Sequence, residues 1–275
     1  ADDQQILDRR KRARIVGRGA TDAGNVTALV LSSDIVFLCV TGTPEVEDLV
    51  HRPGGILDAC REGQIVIDTS TSQPASTLRM KDAFAAKGVR FVDSPLTRTP
   101  VEAEQGRLNT LVGADDATFA EIEPVLRGFC ENVFHIGAVG SAHALKLVNN
   151  FIAIGTAALC AEAVVACKKL GVEPKKLHEL GSVGAMNSGI FQLVVGGAAE
   201  GDYTKMKFAL KNAAKDVRYL VQTTTDAQLA GVMIAAVNQS LNQAIGLGFG
   251  APDKMLPSVV EAQAQLNGVD LTPAR

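Results

Sequence analysis

The stretch from Asp34 to Thr71 reads DIVFLCVTGTPEVEDLVHRPGGILDACREGQIVIDTST. Two β-rich apolar runs, Ile35–Val40 and Ile65–Ile67, flank a helix-patterned segment over Pro44–Leu57. Neither run alternates apolar with polar residues, so each reads as a strand buried on both faces. Such strands separated by helices signal a parallel sheet covered by helices on both sides. The pattern extends outward from this unit. Helix-patterned segments are expected at Val26–Ser32, Pro74–Lys87 and Ala117–Gly128, and strands at Val89–Val92 and Asn109–Val112. Asp34, Gly63 and Gly88 stand as punctuation before the strands.

The character changes after Gly137. Strand signals stop, and Ser141–Leu170 reads as one long helix, apolar almost all round through FIAIGTAALCAEAVVAC, as expected of a helix buried in an interior or a subunit interface. Gly171 caps it and Pro174 opens the next helix. Further helices are expected near Leu177–Gly181, Ser188–Val195, Phe208–Thr225 and Val232–Ala244. The chain therefore divides into an α/β domain over residues 1–137 and an all-helical domain over residues 138–275.

Composition narrows the function class. The chain has 275 residues, 47% of them hydrophobic and 21% charged, enough apolar material for one large or two ordinary cores. A net charge of −3, no Trp and only two Tyr argue against a nucleic-acid partner, which would need a basic, aromatic-rich surface. Five scattered cysteines, Cys39, Cys60, Cys130, Cys160 and Cys167, show no CxxC spacing; they read as small buried hydrophobes of a reducing, cytoplasmic compartment, not as a metal site. The N-terminal ADDQQILDRRKRA has no apolar signal-peptide core. The stretch from Ala227 to Pro252 is uncharged, but Asn238, Gln239, Asn242 and Gln243 make it a buried helix of an oligomer, not a membrane span.

Two glycine-rich segments imitate a phosphate loop. Gly17-Arg-Gly19-Ala-Thr-Asp22 ends on an acid where a third glycine belongs. Gly246-Leu-Gly248-Phe-Gly250-Ala251 follows a helix where a strand is required. Both read as helix ends.

Three constellations carry candidate chemistry. Lys146 and Asn150 lie four apart on one face of the long helix, with Asn149 beside them and His143 three residues earlier. A lysine on so apolar a helix has a depressed pKa suited to proton transfer, or else snorkels to solvent or an ion pair. The loop Asp93-Ser-Pro-Leu-Thr-Arg-Thr-Pro100 follows a strand, where ligands bind in such sheets. Its Thr97, Arg98 and Thr99 suit a carboxylate, sulfonate or phosphate, the alternative being a solvated arginine in a proline-shaped loop. The strand ends Val40-Thr41-Gly42 and Asp68-Thr-Ser-Thr71 would line the same crevice. In FALKNAAKDVRYL, Lys215-Asp216 either faces a ligand or belongs to a solvated helix face.

These residues coincide with a known pattern. In order along the chain, SDIVFLCVTGTPEVEDLV, GQIVIDTSTSQP, FVDSPLTRTPVEAEQGRLNTLVGAD, IGAVGSAHALKLVNNFIAIGTAALCAEAVV, FALKNAAKDVRYL and GLGFGAPDKMLPSVVE resemble the β-hydroxyacid dehydrogenases. That group includes 3-hydroxyisobutyrate dehydrogenase, tartronate semialdehyde reductase and sulfolactaldehyde reductase. The resemblance implies a Rossmann-type domain, a helical domain and a long helix between them, in a homodimer or homotetramer. It implies oxidation of a small anionic β-hydroxyacid, or reduction of its semialdehyde, with NAD or NADP. Lys146 matches the family's general acid, and Asn149 and Asn150 its substrate-orienting amides. Thr97, Arg98 and Thr99 fall on the substrate-anion loop. Val40, Thr41, Thr71 and Lys215 fall along the cofactor.

The chain also departs from the pattern. Thr97-Arg98-Thr99 stands where the family usually has Ser-Gly-Gly, a loop closer to the sulfolactaldehyde reductase version, and Gly140-Ser-Ala142 replaces a G-x-G. The family's opening strand and G-x-G-x-x-G loop are not found, so about 25 residues are expected to be missing from the front. On this alignment Asp8 falls where an acid bonds the adenosine ribose, which favours NAD, while Arg9, Arg10 and Arg12 favour a 2′-phosphate. Two rival readings are a non-catalytic or cofactor-impaired remnant of the fold and an imine reductase; imine reductases usually lack the lysine.

Overall fold

A computed structural model describes residues 12–272. Asp8 and Arg9 lie outside them. Residues 12–16 are helical and end in a turn at Gly17–Gly19, with Gly19 at φ 100°, so this segment is a helix end as expected. Arg12 is held in an exposed pair with Asp22, 3.2 Å apart.

The α/β half begins with α1 (Val26–Leu31), β1 (Ile35–Leu38), α2 (Thr43–His51) and α3 (Ile56–Ala59). The single helix expected over Pro44–Leu57 is broken between Arg52 and Gly55, because Pro53-Gly54-Gly55 cannot continue it. Next come β2 (Ile65–Asp68), α4 (Pro74–Ala85) and β3 (Arg90–Asp93). All four residues of β2 are buried, because the strand is covered on both faces.

The sheet corrects one expectation. β1, β2 and β3 are parallel in register, but β3 meets β5 (Leu108–Gly113) antiparallel, and β4 (Leu96–Thr97) pairs antiparallel with β5. β6 (Cys130–Gly137) then runs parallel to β5 after α6 (Asp116–Leu126). The sheet is mixed, not all parallel. Between β3 and β5 lie β4 and the five-residue α5 (Pro100–Glu104), and no helix long enough to run back along the sheet as a crossover. β4 and β6 were invisible to pattern reading: β4 is two residues long, and β6 has the mixed burial of a partly exposed strand. Among the described residues β1 pairs with β2 alone, and a hollow of about 470 Å³ lies beside Val36, Phe37 and Leu38. Cys39 is exposed, contrary to expectation, whereas Cys130 and Cys160 are buried.

The helical half is organised on α7 (Ser141–Lys169), long and apolar enough to cross a membrane but with one face packed into the core. Around it lie α8 (Pro174–Ser182), α9 (Gly189–Glu200), α10 (Leu210–Asp226), α11 (Val232–Ala244) and α12 (Val259–Asn267). Ile154, Ala157, Ala161 and Val164 of α7 meet Phe191 and Val194 of α9, Leu210 and Val217 of α10 and Val260 of α12 in one core. Each large aliphatic group so buried contributes roughly 1.5–3 kcal/mol. Gly246–Gly250 forms the end of α11, a wide helical turn with Gly248 at φ 96°, consistent with a helix terminus and not a phosphate loop.

Candidate active site

The first turn of α7 is fastened to the sheet by a buried polar cluster. Gly140 takes φ 97° at the helix N-cap, a left-handed geometry suited to glycine, and its N–H donates to Asp93 Oδ1 over 2.8 Å. The His143 N–H donates to Asp93 Oδ2, also over 2.8 Å. The His143 ring has no solvent exposure. Nδ1 sits 2.7 Å from Thr77 Oγ1, and Nε2 sits 3.2 Å from the Ser70 carbonyl, so Nε2 carries a proton. Asp68 lies 3.8 Å from the ring and accepts from the Ser70 N–H and the Ser72 hydroxyl. Burial raises the Asp93 carboxyl above its ordinary pKa, against the pull of His143 and the amides of Gly140 and His143. The D-S-P motif signalled Asp93, but nothing in the sequence joined it to His143.

One turn further, Lys146 is 8% exposed. Burial lowers its pKa; Asp216 opposes that shift and Lys215 adds to it. Lys146 is thus the buried lysine of the two sequence alternatives, not a snorkelling one. Asn150 Nδ2 donates to Asp216 Oδ2 over 2.7 Å. The second Asp216 oxygen is buried and accepts no hydrogen bond, although Lys215 Nζ stands 3.2 Å from it. Asp216 is 3% exposed and faces inward, so it does not belong to a solvated helix face.

Lys146, Asn149, Asn150, Thr97, Arg98 and Thr99 line one cleft of about 580 Å³, closed on its other side by Lys205 to Phe208. The anion loop is more committed than its residue types suggest. The Thr99 hydroxyl caps α5 in a capping box with Glu102. Arg98, at φ 79°, donates to the Glu131 carboxylate of β6 and to the Arg107 carbonyl. Thr97 keeps its hydroxyl.

A second cleft, of about 790 Å³, opens where α10 faces the end of β1. Thr41, Pro44, Lys211, Lys215, Arg218 and Tyr219 line it. The Lys215 ammonium donates to the Thr41 carbonyl, and the Thr43 N–H donates to Tyr219 Oη over 3.2 Å. Val40 is tied by its N–H to Ser70 Oγ over 3.0 Å; Val40 and Thr71 stand at the strand ends but line neither cleft. Arg218 and Tyr219 were not singled out by sequence reasoning, since a cation and a phenol on an amphipathic helix carry no motif. Three cations at the carboxyl end of the sheet suit the phosphates of a dinucleotide.

Comparison with known proteins settles the family. Residues 5–137 match the NAD binding domain of 6-phosphogluconate dehydrogenase, and residues 140–256 match the NAD-binding domain of NADP-dependent 3-hydroxyisobutyrate dehydrogenase. The chain is 30% identical to 2-(hydroxymethyl)glutarate dehydrogenase of Eubacterium barkeri, over 94% of this chain and 86% of that protein. The chain belongs to the 3-hydroxyisobutyrate dehydrogenase-like family of β-hydroxyacid dehydrogenases. Among solved structures it resembles Psf3 in complex with NADP+ and 2-OPP, with TM-score 0.79, 22% identity and coverage of 92% and 88% of the two chains. It also resembles the Mycobacterium tuberculosis 3-hydroxyisobutyrate dehydrogenase, with TM-score 0.77, 19% identity and coverage of 86% and 82%. As a member of this family the chain is an NAD(P)-dependent hydroxyacid oxidoreductase, a Rossmann-like domain with a mixed sheet followed by a helical domain.

Proposed function

We propose that this protein interconverts a small β-hydroxyacid and its semialdehyde or keto form, with Lys146 as general acid and base. The observation that carries this reading is the burial of Lys146 in the wall of the 580 Å³ cleft, where its pKa is lowered and Asp216 is its electrostatic counterweight. A depressed lysine releases its proton more readily and reaches the neutral amine nearer to neutral pH, so one group serves both directions. In reduction Lys146 Nζ gives a proton to the carbonyl oxygen; in oxidation the free amine takes the hydroxyl proton. NAD(P), when bound, supplies or accepts the hydride.

The remaining residues bind and orient. Thr97 and the backbone of the loop through Thr99 hold the substrate carboxylate, with Asn149 and Asn150 on the facing helix. Asn150 commits one N–H to Asp216 and keeps its second N–H and its carbonyl for substrate. Arg98, fixed by Glu131, shapes the loop and keeps further guanidinium N–H groups for an anion. Thr41, Lys215 and the adjoining Lys211 and Arg218 flank the cofactor, and Val40 and Thr71, at the neighbouring strand ends, are assigned to it on the family pattern. We assign residues 1–137 to the cofactor and 138–275 to the helical domain. NAD is preferred over NADP on the position of Asp8, with Arg9 beside it. Ile152 and Leu159, 64% and 68% exposed on the outer face of α7, support association of copies into a homo-oligomer.

The test is turnover of a panel of β-hydroxyacids with NAD+ and NADP+, beside the thermal shift caused by each cofactor. Oxidation of one or more acids with a positive shift is expected. No shift at millimolar cofactor and no turnover would leave the non-catalytic reading. Reduction of an imine without oxidation of any hydroxyacid would leave the imine reductase one.

A further inference from the structure

The cleft that holds Lys146 is lined by charged and apolar side chains together. Ala153, Ile190, Leu193, Met206 and Phe208 are its apolar lining. At the rim, three cations line the space, and two are already engaged. Arg98 is paired with Glu131, and Lys205 Nζ lies 2.6 Å from Glu200. The carboxylate of Glu102 is occupied by the N–H and hydroxyl of Thr99. Lys207 is different. It is exposed, lines the cleft, and has no carboxylate within ion-pair distance among the described residues; Asp202 of the same loop feels its charge at longer range.

We propose that Lys207 anchors a second anionic group of the substrate, so that the cleft selects hydroxyacids with two anionic ends separated by an aliphatic spacer. This rests on the proposed function for the identity of the site. The first carboxylate lies at the Thr97 loop beside Lys146. The spacer lies on Ile190, Leu193 and Met206, where its burial is favourable. The distal anion meets the Lys207 ammonium at the solvent edge. Arg98 is the weaker candidate for this role, because the Glu131 carboxylate already balances its charge. An ion pair at an exposed rim is worth at most about 1 kcal/mol, so the expected selectivity is about fivefold.

The experiment compares binding of glutarate and butyrate by titration calorimetry to the wild type, Lys207→Glu, Lys207→Gln and Arg98→Gln. Neither probe needs turnover, so a failed hydroxyacid assay would overturn the proposed function without touching this result. Glutarate is expected to bind the wild type about fivefold more tightly than butyrate, with the margin shrinking as salt rises. The margin should vanish in Lys207→Gln and reverse in Lys207→Glu. A wild type with no glutarate preference overturns the proposal, and so does a margin that survives Lys207→Glu or is lost only in Arg98→Gln. Repeating the wild-type titration with 4-sulfobutyrate names the anion. Whichever of the two binds more tightly, dependence on Lys207 supports the anchor and independence from it overturns it.

Discussion

Asn150 and Asp216 are joined across two helices, amide to carboxylate, at 2.7 Å, and this bond ties the cleft face of α7 to α10. It places a buried carboxylate where it raises the pKa of Lys146 against the opposing effect of burial. Asp216→Asn removes that support, so the Lys146 pKa falls further. Reduction needs the ammonium; its rate is present below the Lys146 pKa and lost above it. The alkaline limb of the reductive kcat profile should therefore move to lower pH in Asp216→Asn. Oxidation needs the free amine, and its rising limb should move the same way. Limbs that stay in place would show that the two groups are not coupled.

Lys146→Ala is expected to lower kcat by about 10²- to 10⁴-fold, the usual contribution of a positioned acid or base. Its fold should survive. Lys146 is buried without a carboxylate in ion-pair contact among the described residues, so removing it relieves a desolvation cost. Thermal melting at or above the wild-type temperature, together with collapsed turnover, is the expected pair of results. Near-normal turnover would end the acid–base assignment.

Gly42 lies in extended backbone at φ 174°, so its need for glycine is one of space, not conformation. A Cβ there would stand 2.8 Å from Tyr219 Oη and 3.3 Å from Lys215 Nζ. Gly42→Ala should push α10 away from the end of β1 and open the cleft lined by Thr41 and Lys215. The cofactor KM is expected to rise by about tenfold, a loss of about 1.4 kcal/mol, while the substrate KM stays within about twofold. Kinetics with each ligand varied in turn separates the two.

Arg98 combines a left-handed backbone with a side chain committed to Glu131. Arg98→Gly removes the side chain while relieving a backbone cost of roughly 1–2 kcal/mol. Stability should therefore change little. The loop loses its tether to β6, and the substrate KM should rise by about two- to fivefold, the scale of a partly exposed charged contact, with cofactor KM unchanged. Equal rises in both constants would show a general loosening instead.

Much of this was legible in local chemistry. The buried parallel strands announced themselves because a strand covered on both faces cannot alternate, as in the IVID of β2. Lys146 and Asn150 were legible because helical spacing puts them on one face. What stayed hidden depended on the fold bringing distant residues together. Glu131 sits in a strand too irregular to recognise, so nothing told that it would claim Arg98. The contact of Asp93 with the first turn of α7 spans 50 residues, and the reversal between β3 and β5 goes with a connection whose one helix has five residues, too short for a crossover helix. Thr99 looked like a ligand hydroxyl but serves a helix cap, a role its spacing to Glu102 already allowed.

Gly113 tests whether the buried cluster beneath Lys146 is structural support for the site. It lies on β5 directly opposite Asp93. A Cβ on Gly113 would stand 2.2 Å from Asp93 Oδ1 and 3.1 Å from the Ala138 carbonyl. The carboxylate has nowhere to go, since its two oxygens are held by the backbone N–H groups of Gly140 and His143 at 2.8 Å each. Gly113→Ala must therefore expel Asp93 and orphan those donors, or separate β5 from β3. Overpacking and unsatisfied buried groups each cost about 1–3 kcal/mol, so a loss of about 3 kcal/mol or more is expected in denaturant melts. Because His143 is one turn from Lys146, kcat should fall in the fraction that remains folded. Gly246→Ala is the control: nothing lies within 4 Å of a Cβ there, and its stability should stay within about 0.5 kcal/mol of wild type. A Gly113→Ala protein as stable and active as that control would mean that Asp93 does not fasten α7 to the sheet.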